Sequence, residues 1–275
     1  MDIFPAALSV LTWKAPSTLH NTLNSLAKIA PAFSERIVVC QEADEREIQI
    51  AHEHGFTPVP IKQNLGIQRG LAKCVAAPAS ENVLVLENDC PFLGTQEDTA
   101  LIAAAIDLLA SDKAKVVQMS RQTEPRGRYT RYWQPGYPPR RTTWGRLSRA
   151  NAKAVCSDAM LFAEDGQAEL AGISRYAPGL YTTDSSRRPW SNRPFLTTKA
   201  FFLGELIRFA ERHPTSRHVN GMPDLEHAIN SSKNRNWWRK NGFDVAFTVP
   251  GLFGHERDER PSEDEKGHLS RALTE

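Results

Sequence analysis

The sequence predicts an α/β protein built on a mixed, mostly parallel sheet flanked by helices, and three observations carry that prediction. Strand-like apolar runs alternate with amphipathic helical stretches through the first half of the chain, the pattern of successive βαβ units. The run Val83-Leu84-Val85-Leu86 is short and continuously apolar, as suits a strand covered on both faces, although a buried helix end fits the same pattern. The chain's 275 residues, 40% hydrophobic and 24% charged, suffice for one large domain or two small ones of ordinary globular composition.

The first half reads in order. Residues 7–13 form an apolar run that suits a first strand. Pro16 and Ser17 precede the stripe Leu19, Leu23, Leu26 and Ile29, a helix with Ser17 placed as its cap. Residues 37–40 make a second strand that ends at Gln41 and Glu42. Asp44 followed by Glu47 resembles an acidic capping box, and Gly55 stops that helix after His54. Residues 57–61 suit a short strand, which Pro58 and Pro60 push to a sheet edge or a loop. Asn64-Leu65-Gly66-Ile67-Gln68-Arg69-Gly70 leads into a helix through Ala77, and the 83–86 strand follows. A helix over 97–110 and a strand over 115–119 complete the regular part.

After Ser120 the pattern breaks. Arg121, Arg126, Arg128, Arg131, Arg140, Arg141, Arg146 and Arg149 alternate with Tyr129, Tyr132, Trp133, Tyr137 and Trp144. Such a mixture suits single-stranded nucleic acid by stacking plus phosphate contact, or a sugar or anionic acceptor. The plain alternative is an irregular loop whose arginines are solvated and whose rings cover the sheet. Residues 157–163 look like a returning strand, and 172–194 like a loop. Residues 197–213 make a helix with Phe201, Phe202, Leu206, Phe209 and Ala210 on one face. Pro223 opens a further helix, and residues 244–249 form a last strand before a Gly-rich turn. One domain over 1–256 is expected, with a first half over 1–119, an irregular second half over 120–256, and a charged, flexible tail over 257–275.

Bulk properties narrow the function classes. A net charge of +2 gives no electrostatic case for nucleic-acid binding. Cys40, Cys74, Cys90 and Cys156 are scattered with no CxxC pair, which argues against a zinc site or disulfide framework and for a reducing compartment. The start of the sequence lacks a basic n-region with a long apolar core, and no apolar run approaches the roughly 20 residues of a spanning helix. The expected location is cytoplasmic.

The chemistry centres on Glu87-Asn88-Asp89, which follows the 83–86 run and is stopped by Cys90-Pro91. Two carboxylates where a buried strand ends lie at the carboxyl edge of the sheet, where open α/β folds bind ligands. Oxygen ligands there suit a hard divalent cation and the phosphates it carries. The competing reading is a polar turn.

The ordered residues resemble the family 2 glycosyltransferases and their relatives with the GT-A fold, a Rossmann-like sheet in the nucleotide-diphospho-sugar transferase superfamily. Leu11-Thr12-Trp13-Lys14-Ala15-Pro16 and the leucine-striped helix look like that family's opening. Asn64-Leu65-Gly66 with Arg69 is similar to its segment before the acidic motif, and Glu87-Asn88-Asp89 stands in place of its DxD motif. Asp224 and Glu226 resemble the acidic pair of inverting members, and His255 falls where some GT-A enzymes place a late metal-binding histidine.

The resemblance implies a metal-dependent, inverting transfer of a sugar from a nucleoside-diphosphate sugar to a hydroxyl of a glycan or glycoconjugate. It implies Asp89 as the direct ligand of Mn or Mg, with His255 as a second ligand. Glu87 would sit near the ribose or a metal-bound water, its extra methylene leaving its role open, and Asn88 would make a secondary contact. Thr12, Trp13 and Glu42 would hold the nucleoside, Trp13 by stacking and Glu42 by accepting from a base N–H. Asn64 would line the same site, and Arg69 would pair with the diphosphate. Asp224, with Glu226 as second candidate, would be the general base. Each has a plain counterpart: a packing role for Trp13, a surface arginine at 69, a helix cap at Asp224 and a surface imidazole at His255. A sugar nucleotidyltransferase is a second enzyme reading, weakened because Lys14-Ala15-Pro16 is not a Gly-rich phosphate loop. A non-catalytic module that grips a glycan or single-stranded nucleic acid through residues 121–149 is a third.

Overall fold

The computed structural model describes residues 3–122, 172–219, 221–234 and 236–256. Within them, nine strands form one sheet in the order β3-β2-β1-β4-β8-β5-β11-β7-β6. In chain order these are β1 (Phe4–Trp13), β2 (Phe33–Gln41), β3 (Thr57–Ile61), β4 (Asn82–Glu87), β5 (Val116–Gln118), β6 (Ser174–Ala177), β7 (Leu180–Asp184), β8 (Phe195–Thr198) and β11 (Asp244–Thr248). The short β9 (His218–Val219) and β10 (Met222–Pro223) pair separately. Strands β1 to β4 run parallel, as do β5 and β11, while β8 runs against both of its neighbours and β7 against β11 and β6. The expected mixed, mostly parallel sheet is therefore present, and β8 of the second half of the chain is inserted between β4 and β5 of the first.

Alternation along the strands explains why the 83–86 run is apolar throughout. Leu84 and Leu86 face the core shared with α1 (Pro16–Leu26), α2 (Glu45–Glu53) and α4 (Thr99–Ala110), through Leu19, Leu23, Ala51, Ile102 and Ile106. Val83 and Val85 face the opposite core, under α3 (Gly66–Ala76) and α5. Helix α5 is continuous over 199–212, with a π-helical middle, Phe202–Ile207, between Lys199–Phe201 and Arg208–Arg212. With both faces covered, each of residues 83–86 must be apolar to enter a core. Strand β3 takes the sheet edge, where the missing N–H groups of Pro58 and Pro60 break no ladder bond on the open side.

Several local expectations are corrected. Ser17 lies inside α1, whose N-cap is Ala15 without a side-chain cap. Asp44 does cap α2, accepting from the Arg46 N–H, but Glu47 does not close a capping box, because its carboxyl is drawn across to the end of β1. The 172–194 stretch is not all loop: it carries the β6–β7 hairpin, whose turn is made at Gly179 (φ +73°). Thr197 belongs to β8 rather than to a helix, and Thr198 caps α5 by accepting from the Phe201 N–H. Helix α6 (Leu225–Asn230) matches expectation, and α7 (Trp237–Asn241), which buries Trp238, was not foreseen. The expected strand at 157–163, nearly all of the Arg/aromatic stretch and the charged tail lie outside the described residues. Among the described residues, no helix is long and apolar enough to cross a membrane.

Candidate functional site

The strand order reverses at β1: β2 and β3 follow on one side, and β4 returns on the other. Loops leaving a sheet at such a switch point diverge and open a crevice at the carboxyl edge. Thr12 and Trp13 end β1, Gln41 ends β2 with Glu42 beyond it, and Glu87 ends β4 opposite Leu11. The sequence-predicted residues therefore share one edge.

The Glu87-Asn88-Asp89 turn is held by its backbone and by side chains from below. The Asn88 N–H donates to Leu11 O at 2.9 Å, extending the β1–β4 pairing by one residue. Asn88 Nδ2 donates to Thr12 Oγ1 at 3.1 Å, and the Thr22 hydroxyl of α1 donates to Asn88 O. Thr12 Oγ1 in turn donates to Glu47 Oε1 at 2.5 Å, and the Ala15 N–H donates to the same oxygen at 3.0 Å. Glu47 is 0% exposed, and among the described residues its Oε2 has no hydrogen-bond partner. Burial pushes its carboxyl above the ordinary range, and the bonds from Ala15 and Thr12 oppose that rise only in part. The sequence placed Glu47 in a capping box rather than beside this turn, yet a signal exists: it shares the inward face of α2 with Ile50 and Ala51, an acid on an apolar stripe.

Asp89 is 4% exposed, and His255 Nε2 lies 3.7 Å from its Oδ2. A zipper of backbone bonds delivers that histidine. Residues 252–256 run between 89–93 and 119–121: the Leu93 N–H donates to Leu252 O, Gly254 N–H to Pro91 O, Glu256 N–H to Asp89 O, and Arg121 N–H to Phe253 O. The Gly-rich turn packs its backbone against the protein's own, since a Cβ at Gly251 would stand 2.2 Å from the Ser120 carbonyl. Asp89 and His255 together offer one carboxylate and one imidazole. Among the described residues no three His, Cys, Asp or Glu side chains cluster closely enough to enclose a metal ion. A two-ligand half-site of this kind fits a cation that brings phosphate oxygens and waters with it.

Where β1 and β2 end, Trp13 Nε1 donates to Glu42 Oε2 at 3.0 Å, and Lys14 Nζ pairs with the same oxygen at 2.8 Å. Burial alone would raise the Glu42 carboxyl, but the bonds from Lys14 and Trp13 and the lysine charge bring it below the ordinary value. Lys14 (φ +46°), Glu42 (φ +59°) and Ala43 (φ +38°) are all left-handed, and none is glycine. That conformation costs about 1–2 kcal/mol per residue and is tolerated where surroundings over-determine it.

The Asn64 segment is fixed to this edge. Gln41 Oε1 accepts from the Leu65 N–H at 2.7 Å, and Asn64 Oδ1 from the Gly66 N–H at 2.8 Å. Gly66 (φ +69°) packs against Met222, where a Cβ would stand 2.3 Å from the Met222 Cβ. Arg69 is exposed on α3 and makes no ion pair with a carboxylate of the described residues.

Asp224 caps α6, Oδ1 accepting from the Glu226 N–H at 2.9 Å, while Oδ2 pairs with Arg217 Nε at 3.1 Å. Glu226 Oε1 accepts from Ser191 Oγ at 2.9 Å and the Asn192 N–H at 2.8 Å. Residue 192 lies three positions before β8, whose Phe195 pairs with Val85 near the end of β4. Glu226 is thus tied to the same sheet edge as the acidic turn.

No family model matches the sequence, and no curated protein does. Among solved structures, the chain is similar to residues 1–349 of TarS from S. aureus, with 15% identity and a TM-score of 0.53, over 99% of this chain and 64% of that one. It is also similar to glucosyl-3-phosphoglycerate synthase from Mycobacterium tuberculosis, with 12% identity and a TM-score of 0.47, over 98% of this chain and 77% of that one. The latter structure holds Mn2+, uridine diphosphate and glucosyl-3-phosphoglycerate. The fold is GT-A-like.

Proposed function

We propose that this chain is a glycosyltransferase that moves a sugar from a nucleoside-diphosphate sugar to a hydroxyl acceptor, with a divalent cation and with inversion. The observation that carries the proposal is buried Asp89 beside His255, set at the switch-point edge of a GT-A-like sheet. Asp89 and His255 would hold the cation, and the imidazole favours Mn2+ over Mg2+, which prefers oxygen throughout. When bound, such an ion supplies a Lewis acid beside the charge that grows on the departing diphosphate.

The chain's own groups would do the rest. Trp13, its indole N–H fixed by Glu42, offers a flat face to the base or sugar, and Glu42 keeps Oε1 for a donor group of the nucleoside. Asn88 and Glu87 line the approach to the ribose. Arg69, which makes no ion pair with a carboxylate of the described residues, would meet the diphosphate. Both oxygens of Asp224 are already engaged, Oδ1 by the Glu226 N–H and Oδ2 by Arg217. Among the described residues, Glu226 has only Oε1 engaged, which favours it as the group that takes the acceptor hydroxyl's proton.

Calorimetry with UDP, GDP and their sugars, with and without Mn2+, tests the proposal. Binding of a nucleoside diphosphate that depends on the metal is the expected result. Its absence with every nucleotide in the set would remove the proposal.

A further inference from the structure

We infer that Glu47 is a positioning residue for the cation–diphosphate edge, fixing the donor sense of Thr12 and through it the orientation of the Asn88 amide. The inference rests on the proposed function of that edge and adds a residue that touches no ligand itself.

A threonine hydroxyl carries one proton. If it donates to Glu47 Oε1, it can only accept from Asn88, so the Asn88 NH2 group must face Thr12. The direction of the whole chain, Asn88 to Thr12 to Glu47, is therefore set at its buried end. The Ala15 N–H, donating to the same Glu47 oxygen, pins an acceptor at that point. With the amide nitrogen committed below, Asn88 Oδ1 is left without a hydrogen bond among the described residues. The middle residue of the acidic turn thus presents a carbonyl oxygen, an acceptor for a ribose hydroxyl or a cation-bound water. Without an acceptor at position 47, the hydroxyl is free to donate upward and the Asn88 amide to turn over. The Thr22 bond to Asn88 O holds the same turn from α1, so the backbone stays in place while the side chain reorients.

The test compares Glu47→Leu, Glu47→Gln and Thr12→Val with the wild type, using the nucleoside diphosphate that the wild type binds in the presence of Mn2+. Glu47→Leu removes the acceptor and should weaken binding about ten-fold or more, the scale of a hydrogen bond to a charged group. Glu47→Gln keeps an oxygen under the Thr12 hydroxyl and the Ala15 N–H, and should restore affinity to near the wild-type value. Thr12→Val breaks the relay with a side chain of nearly the same shape, so it reports even if Glu47→Leu does not fold. The Asn88 side-chain amide signals, identified by their loss in Asn88→Asp, should shift in Glu47→Leu and Thr12→Val but not in Glu47→Gln. Wild-type affinity in folded Glu47→Leu and Thr12→Val would overturn the inference alone. Failure of the wild type to bind any metal–nucleotide pair would overturn both it and the function it rests on.

Discussion

At the scale of single residues, the site depends on a few carboxyls that the fold treats differently. Asp89 is nearly sealed but keeps an oxygen toward His255, so Asp89→Ala should abolish metal-dependent nucleotide binding. Calorimetry with and without Mn2+ would show nucleotide affinity that no longer responds to the metal. Glu47 is the opposite case, a carboxyl whose proton-binding tendency is raised by burial. Between the ordinary value of 4.5 and its raised folded value, the native state holds a proton that the unfolded chain has released. Stability from this group is therefore present below that window and lost as pH rises through it. Glu35 and Glu42 are lowered and act with the opposite sign, losing their contribution as pH falls below 4.5. Urea denaturation of Glu47→Gln against wild type should show the variant's relative stability increasing with pH above 4.5. A pH-independent difference would mean that Glu47 stays in one protonation state.

At the scale of elements, two short pieces of backbone carry side chains of the proposed site and can be probed separately. The 252–256 zipper needs Gly251, because any Cβ there meets the Ser120 and Arg121 backbone at 2.2–2.3 Å. Gly251→Ala should destabilise by about 1–3 kcal/mol, as overpacking does, and should weaken metal binding by displacing His255. Gly204, in the middle of α5, has nothing within 4 Å of its added Cβ. Gly204→Ala should be neutral or stabilising by up to about 1 kcal/mol, with metal binding intact. Thermal melts of the pair, with Mn2+ titrations, separate the zipper from a general effect of the substitution. The start of α6 poses a different question. Asp224→Ala loses a cap worth about 0.5–2 kcal/mol, whereas Asp224→Asn keeps an acceptor for the Glu226 N–H. If Asp224 is only a cap, Asp224→Asn should retain slow metal-dependent hydrolysis of the donor sugar, and Glu226→Gln should lose it. The reverse pattern would return the proton-accepting role to Asp224.

At the scale of the whole molecule, the sheet brings together loops from widely separated parts of the sequence. Asp89 and His255 meet because β4 and β11 end at the same edge with β8 and β5 between them. A ligand that bridges those loops should stabilise the folded chain as a unit. A metal–nucleotide complex at about a hundred times its Kd would add ~2.7 kcal/mol, a rise in melting temperature of roughly 5–10 °C for a chain of this size. Differential scanning fluorimetry with nucleotide alone, Mn2+ alone and both together should show the rise only for the combination.

The sequence by itself determined the first half of the fold and the location of the acidic turn. Strands β1 to β5 and helices α1 to α4 have continuous apolar runs or clean stripes, because each packs against a layer whose demands repeat at the strand or helix period. The second half was harder to read because its strands are short and inserted: Phe195–Thr198 is strand only through its antiparallel neighbours, and the β6–β7 hairpin only through its pairing with β11. Local pattern does not encode such pairing. Tertiary structure decided that Glu47 leaves its expected capping box for the end of β1, that Asp224, besides capping its helix, pairs with Arg217, and that His255 stands 3.7 Å from Asp89. Each of those outcomes depends on a partner 7 to 166 residues away in the chain, and a side chain's role follows from which partner the fold supplies.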